Sequence, residues 1–294
     1  MKPILICGYP RSGTSYLAVQ LWKNFGKKIL SEPLYINLLI ELQQLKRGNE
    51  KVGNIAHPYF SKQERLALLL PYLENFGDKI FEIVRKYSPS ILLNKHTFIY
   101  PYEMLVKYFE HFKGYHIKEV RLHLYLGDSF FKENWDIYFI IRHPIDVFMS
   151  ILKVNKFGKG KFHKLWYLIK NLGRKVENFY INSLKTSFNI WWLIDSATEL
   201  YYATGIGSPP KTFIEYFVYA WTVSNYIAVN SVPENHIIVY EKPKTYYRLP
   251  IKFYDPIRVK IYPKAREDLQ YEFERAAKRL NLENEYNYLL KFFD

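Results

Sequence analysis

The chain has 294 residues, of which 49% are hydrophobic, enough for a sizeable core and too many for a disordered chain. Its single cysteine, Cys7, excludes an intramolecular disulfide and a cysteine-based metal cluster. The net charge of +14 favours anionic partners, either nucleic acid, a membrane surface or a phosphorylated small molecule, or else a solvated basic surface.

The first element is the apolar run Ile4 to Cys7, which reads as a buried strand. A turn, Gly8 to Ser15, leads into a helix with Leu17, Leu21 and Phe25 on one face and Gly26 as its stop. Strand, glycine turn and helix in this order form a phosphate-binding βα unit. Ile29 to Ser31 reads as a second strand, stopped by Glu32-Pro33, and residues 34–47 and 61–86 read as helices around a polar connection from Gly48 to Pro58. Ile91 to Leu93 is a third predicted strand ending at Asn94-Lys95-His96, Tyr138 to Ile141 a fourth ending at Arg142, and Ile237 to Tyr240 a fifth ending at Glu241. These runs lack alternation, as strands covered on both faces do. Helical patterns separate them, so the expected architecture is α/β, a P-loop-like three-layer fold with a central parallel sheet flanked by helices. No repeat or linker divides the chain. A single domain over 1–294 is expected, with a helical and loop insertion at about 155–215.

Gly8 to Ser15 has the spacing G-x-x-x-x-G-x-S, with Thr14 where a nucleotide-hydrolysing P-loop has lysine and with Arg11 in its middle. Glycines let backbone wrap an anion, and the following helix aims its N–H groups at it. Without the lysine a triphosphate is disfavoured. One phosphate-like group, gripped by Arg11, Ser12, Thr14 and Ser15, fits better. The run Pro10 to Leu17 resembles the 5′-phosphosulfate loop of sulfotransferases, P-[KR]-S-G-T-[ST]-x-L. That resemblance implies Arg11 at the bridging oxygen and leaving phosphate, and Ser12, Gly13, Thr14 and Ser15 around the 5′-phosphate.

The fourth strand ends in Arg142, where a magnesium-using enzyme would carry an aspartate. An arginine suits a further phosphate and repels a metal ion. Pro144 fits a first helical turn and Asp146 complements that helix start. The stretch Arg142 to Ser150 resembles the same family's 3′-phosphate motif, R-x-P-x-D-x-x-x-S, implying that Arg142 and Ser150 bind that phosphate.

His96, with Lys95 beside it, follows a predicted strand end and is the expected proton acceptor. The segment Asn94-Lys95-His96-Thr97 departs from both the K-T-H and the E-K-T-P forms of the family. His57, His111, His116, His123 and His163 are expected in helices or loops with surface roles. Trp221 and the strand ending Tyr240-Glu241 resemble a late family element, Y-E-D, with Lys242 replacing the Asp, and Glu32-Pro33 resembles another frequent feature. The late R-K-G-x-x-G-D-W segment is missing, and Lys153 to Lys164 reads as a solvated basic face or a lid.

The resemblance implies transfer of a sulfuryl group from 3′-phosphoadenosine-5′-phosphosulfate (PAPS) to a hydroxyl or amine on a small molecule, glycan, lipid or peptide. Adenosine 3′,5′-bisphosphate would be the product, and no metal is expected. The chain carries no recognisable leader or apolar span, so a cytoplasmic protein with no membrane span and no nucleic-acid partner is expected. The competing readings are a P-loop kinase or hydrolase, and a non-catalytic sulfotransferase-like protein that binds nucleotide or nucleic acid.

Overall fold

The structure is a computed structural model that describes residues 2–34, 79, 82, 83, 86, 99–152, 191–257, 259 and 266–294. Five parallel strands form its centre: β1 (Ile4–Gly8), β2 (Ile29–Ser31), β3 (His116–Glu119), β4 (Asp136–Ile141) and β5 (Ile237–Val239), in the order β2-β3-β1-β4-β5. The described helices are α1 (Thr14–Phe25), α2 (Tyr102–Glu110), α3 (Ser129–Asn134), α4 (Pro144–Leu152), α5 (Trp191–Thr204), α6 (Phe213–Ser231), α7 (Arg266–Arg279) and α8 (Glu283–Leu290). None of them is long and apolar enough to cross a membrane.

Alternation along each strand divides the core into two. Ile4, Ile6, Tyr138, Ile140 and Ile238 point to one face of the sheet, where Leu17, Ala18 and Leu21 of α1 cover them. Leu5, Cys7, Ile117, Phe139, Ile141 and Val239 point to the other, beneath α6 and its neighbours. The result is an α/β three-layer fold with helices on both faces, and it explains why β1 and β5 are apolar runs without alternation. On the second face α6 packs against α5, α7 and α8. Its start is fixed by a capping box between Thr212 and Glu215, and Glu215 also pairs with Arg279 at 3.2 Å. Residues 191–215 of the expected insertion therefore belong to this helical layer, with Leu193, Ala197, Leu200 and Phe213 in its core.

The sheet contains one strand that was not expected. Ile91 to Leu93 lies outside the described residues, and the strand between β2 and β1 is β3, with the sequence His-Ile-Lys-Glu. Its polar side chains are buried because each finds a partner indoors. The His116 Nδ1 accepts the Ile4 N–H at 3.1 Å and its ring stacks on Phe25 at 3.7 Å. Lys118 pairs with Glu32, and Glu119 accepts the N–H groups of Leu34 and Val120, both at 2.8 Å. His116 is thus a buried strand residue and not a surface residue, and burial lowers its pKa to about 4. His123 corrects the same expectation. It is fully buried in a short turn against Phe139 and Tyr9, and desolvation lowers its pKa to about 3.

Candidate anion site at the strand ends

All five strands run the same way, so their C-terminal ends share one rim, where open α/β sheets place their ligand crevices. At its middle is the turn from β1 to α1. Gly8 has no room for a side chain: a Cβ there would lie 2.5 Å from Ile140 Cγ2 and 2.6 Å from the Ile140 carbonyl oxygen. Gly13 caps α1 at φ +95°, and a Cβ would strike the Tyr240 ring at 2.6 Å. Between them the Ser12 N–H donates to the Tyr9 carbonyl at 3.0 Å and closes the turn. Arg11 takes φ +74°, a left-handed conformation that costs a non-glycine residue about 1–2 kcal/mol. Contacts on both sides hold it: Arg11 Nε donates to Ser150 Oγ at 3.2 Å, and the Arg11 carbonyl accepts from Arg142 Nη1 at 3.0 Å.

These two bonds join the separate sequence motifs into one site. Arg142 directly follows β4 and is 5% exposed, so its charge needs compensation indoors. Its guanidinium lies 4.1 Å from the Tyr240 ring centroid, and its Nε is 4.0 Å from Glu241 Oε1. Its carbonyl accepts from Trp221 Nε1 at 3.2 Å, so the buried indole of α6 fixes the backbone from below. Pro144 starts α4 directly afterwards, and two turns on the buried Ser150 faces Arg11. Ser12 and Thr14 are buried at the head of α1, Ser15 is half-buried, and Ser12 Oγ has no hydrogen-bond partner among the described residues.

No protein-family model and no curated protein matches this chain.

The site's chemistry is that of an oxyanion cradle. The Arg142 guanidinium contacts the turn that leads into α1, whose first N–H groups have no intrahelical acceptors, and the Arg11 guanidinium reaches from that turn to Ser150. A buried hydroxyl with no partner among the described residues, Ser12 Oγ, completes a donor set suited to phosphate or sulfate oxygens. Glu241 faces Arg142 and accepts the His143 N–H at 3.1 Å, so a positive charge already occupies the position beside it. Burial pushes its carboxyl up to about 7, chiefly by desolvation, against the hydrogen bonds and the Arg142 charge.

Beside this cradle, at the ends of β2 and β3, Arg121 meets Glu119 at 3.1 Å and Glu32 at 3.7 Å, and Lys118 also pairs with Glu32. These carboxylates are charge-matched where they stand. Of the candidates from sequence, Arg11, Ser12, Gly13, Thr14, Ser15, Arg142 and Ser150 fall in one neighbourhood. His96 and Lys95, the predicted base and its helper, lie outside the described residues, as do His57, His163 and the segment 153–164. His111 caps the end of α2. Sequence reasoning read Tyr240 and Glu241 as the end of the fifth strand, and it overlooked Tyr240 as a platform for Arg142 and Glu241 as its neighbour. The available signal was the position of both at a strand end next to Arg142's strand.

Proposed function

We propose that the chain is a sulfotransferase that binds PAPS across the ends of β1 and β4. The observation that carries this reading is the pair of bonds Arg11 Nε to Ser150 Oγ and Arg142 Nη1 to the Arg11 carbonyl. They join the segment that resembles the 5′-phosphosulfate loop to the one that resembles the 3′-phosphate motif, which supports a ligand with two anionic ends. The close approaches at Gly8 and Gly13 and the buried Ser12 hydroxyl suit a phosphate seated on backbone N–H groups. Thr14 and Arg142 stand where a magnesium-dependent P-loop enzyme would use lysine and a metal-holding carboxylate, which disfavours the kinase reading.

In the reaction, an acceptor oxygen or nitrogen attacks sulfur, and the bond from sulfur to the 5′-phosphate oxygen breaks. The electron pair leaves on adenosine 3′,5′-bisphosphate, and the acceptor proton passes to a base. Arg11 stabilises the charge that develops on the leaving phosphate. His96 is the proposed base, with Lys95 assisting. A cytoplasmic location goes with this reading, since the sole cysteine is a buried thiol.

Calorimetric titration with adenosine 3′,5′-bisphosphate without magnesium, beside 5′-AMP and ATP, tests the reading. The bisphosphate should bind best, and Arg142→Ala should weaken it by about 1.5–3 kcal/mol, or tenfold to more than a hundredfold. Tight binding of ATP that requires magnesium, or equal affinity for all three nucleotides, would overturn it.

A further inference from the structure

Glu241 is an unusual neighbour for an anion site. It is a carboxylate in the turn after β5, with its side chain 12% exposed, and it lies 4.0 Å from the arginine that receives the second phosphate under the reading above. One of its oxygens, Oε1, is engaged by the His143 N–H and faces Arg142. The other, Oε2, is buried and has no hydrogen-bond partner among the described residues. An ionised carboxylate held this way has one oxygen with no donor among the described residues, and any phosphate arriving at Arg142 adds a second negative charge beside the same guanidinium.

We propose that Glu241 is a positioning residue that couples anion binding to proton uptake: the empty site uses its carboxylate as the counter-charge of Arg142, and the loaded site holds it as the neutral acid. The proton sits on the buried Oε2, while Oε1 keeps the His143 N–H. Arg142 then passes its charge from Glu241 to the ligand without breaking its bond to the Arg11 carbonyl. The charged and titratable groups around Glu241 support this assignment. From the β4–α4 connection come Arg142 and His143, from α4 Asp146, from its own segment Tyr240 and Tyr246 with Lys242 next in the chain, and from the β1 turn Arg11 through its contact with Arg142. Burial, with a smaller push from Asp146, raises the Glu241 proton affinity to about 7, whereas the backbone hydrogen bonds and Arg142 pull it down. The addition of a phosphate anion pushes it up again, so a proton is taken from solution when binding occurs above neutrality.

This inference rests on the proposed anion site, and its test separates the two. Adenosine 3′,5′-bisphosphate is titrated calorimetrically at pH 6.0 and 8.5 in buffers of different ionisation enthalpy, which reports protons taken up per ligand. Wild type, Glu241→Gln and Arg142→Ala are compared, and thermal unfolding confirms that each variant folds. Wild type should take up close to one proton per ligand at pH 8.5. Relative to Glu241→Gln it should lose about 30-fold in affinity between the two pH values. The glutamine variant keeps an oxygen for the His143 N–H and binds with the pH dependence of the ligand alone. If the bisphosphate binds through Arg142 but Glu241→Gln shows the wild-type proton uptake and pH slope, the coupling is refuted and the site stands. If Arg142→Ala binds as tightly as wild type, the site reading falls and the coupling falls with it.

Discussion

Replacing Gly13 with alanine tests how tightly the β1 turn, Tyr240 and Arg142 are built together. Two costs are expected. The backbone at φ +95° disfavours any Cβ, a strain of about 1–2 kcal/mol. The new methyl would also lie 2.6 Å from Tyr240 Cδ2 and 2.7 Å from Cε2, well inside contact distance, and the ring it strikes carries the Arg142 guanidinium at 4.1 Å. Overpacking of this kind costs about 1–3 kcal/mol. Together, Gly13→Ala should destabilise the protein by about 2–5 kcal/mol. Gly114 supplies the control, since it has a similar φ of +90° and a Cβ added there would meet no atom within 4 Å. Gly114→Ala should therefore show the strain alone. Urea unfolding of both variants measures the difference. Displacement of Tyr240 should also lower bisphosphate affinity in Gly13→Ala and leave it unchanged in Gly114→Ala. Equal losses of stability in the two variants, with equal affinities, would refute the crowding argument.

Trp221→Phe removes the indole N–H bond to the Arg142 carbonyl while keeping an aromatic core residue, and should cost at least about 0.5–1.5 kcal/mol in urea unfolding, with a further loss of bisphosphate affinity. His123 is held neutral with its pKa lowered to about 3, so the unfolded chain binds a proton there that the folded chain does not. Stability should fall as pH drops below about 6.5, the ordinary histidine value, and His123→Phe should flatten that slope when urea midpoints are compared at pH 7.5, 5.5 and 4.5. His116, lowered to about 4, contributes a slope in the same direction that remains in this variant.

Much of the fold is legible in the sequence where local signals agree. Ile4 to Cys7 is apolar without interruption because both its faces are covered, and α1 ends at Phe25 because Gly26 adopts φ +58°. The fourth and fifth strands are readable for the same reason as the first. The strand β3 is not, since His-Ile-Lys-Glu carries three polar side chains in four residues. What makes it a buried strand is remote: Ile4 supplies a donor to His116, Glu32 a charge to Lys118, and Leu34 an N–H to Glu119. A sequence window around residue 116 contains none of these. The candidate site divides in the same way. Arg11, Arg142 and Ser150 follow from motif spacing, because the turn and the helix start are local structures. The bond from Arg142 to the Arg11 carbonyl, the Tyr240 platform and the place of Glu241 come from the order of strands β1, β4 and β5, which no local pattern encodes.

The position of β1 at the centre of the sheet has a consequence for synthesis. Its neighbours are β3 and β4, and Ile4 and its partner His116 are 112 residues apart. At a translation rate of about 5–20 residues per second, the ribosome needs roughly 6–22 s to deliver β3 after β1 has been made. During that interval the apolar stretch Ile4 to Cys7 has neither of its final neighbours, so a nascent chain stalled before residue 116 should be a good client for a holding chaperone. The surroundings of Arg142 are later still, since Trp221, Tyr240 and Glu241 join them only when most of the chain has emerged.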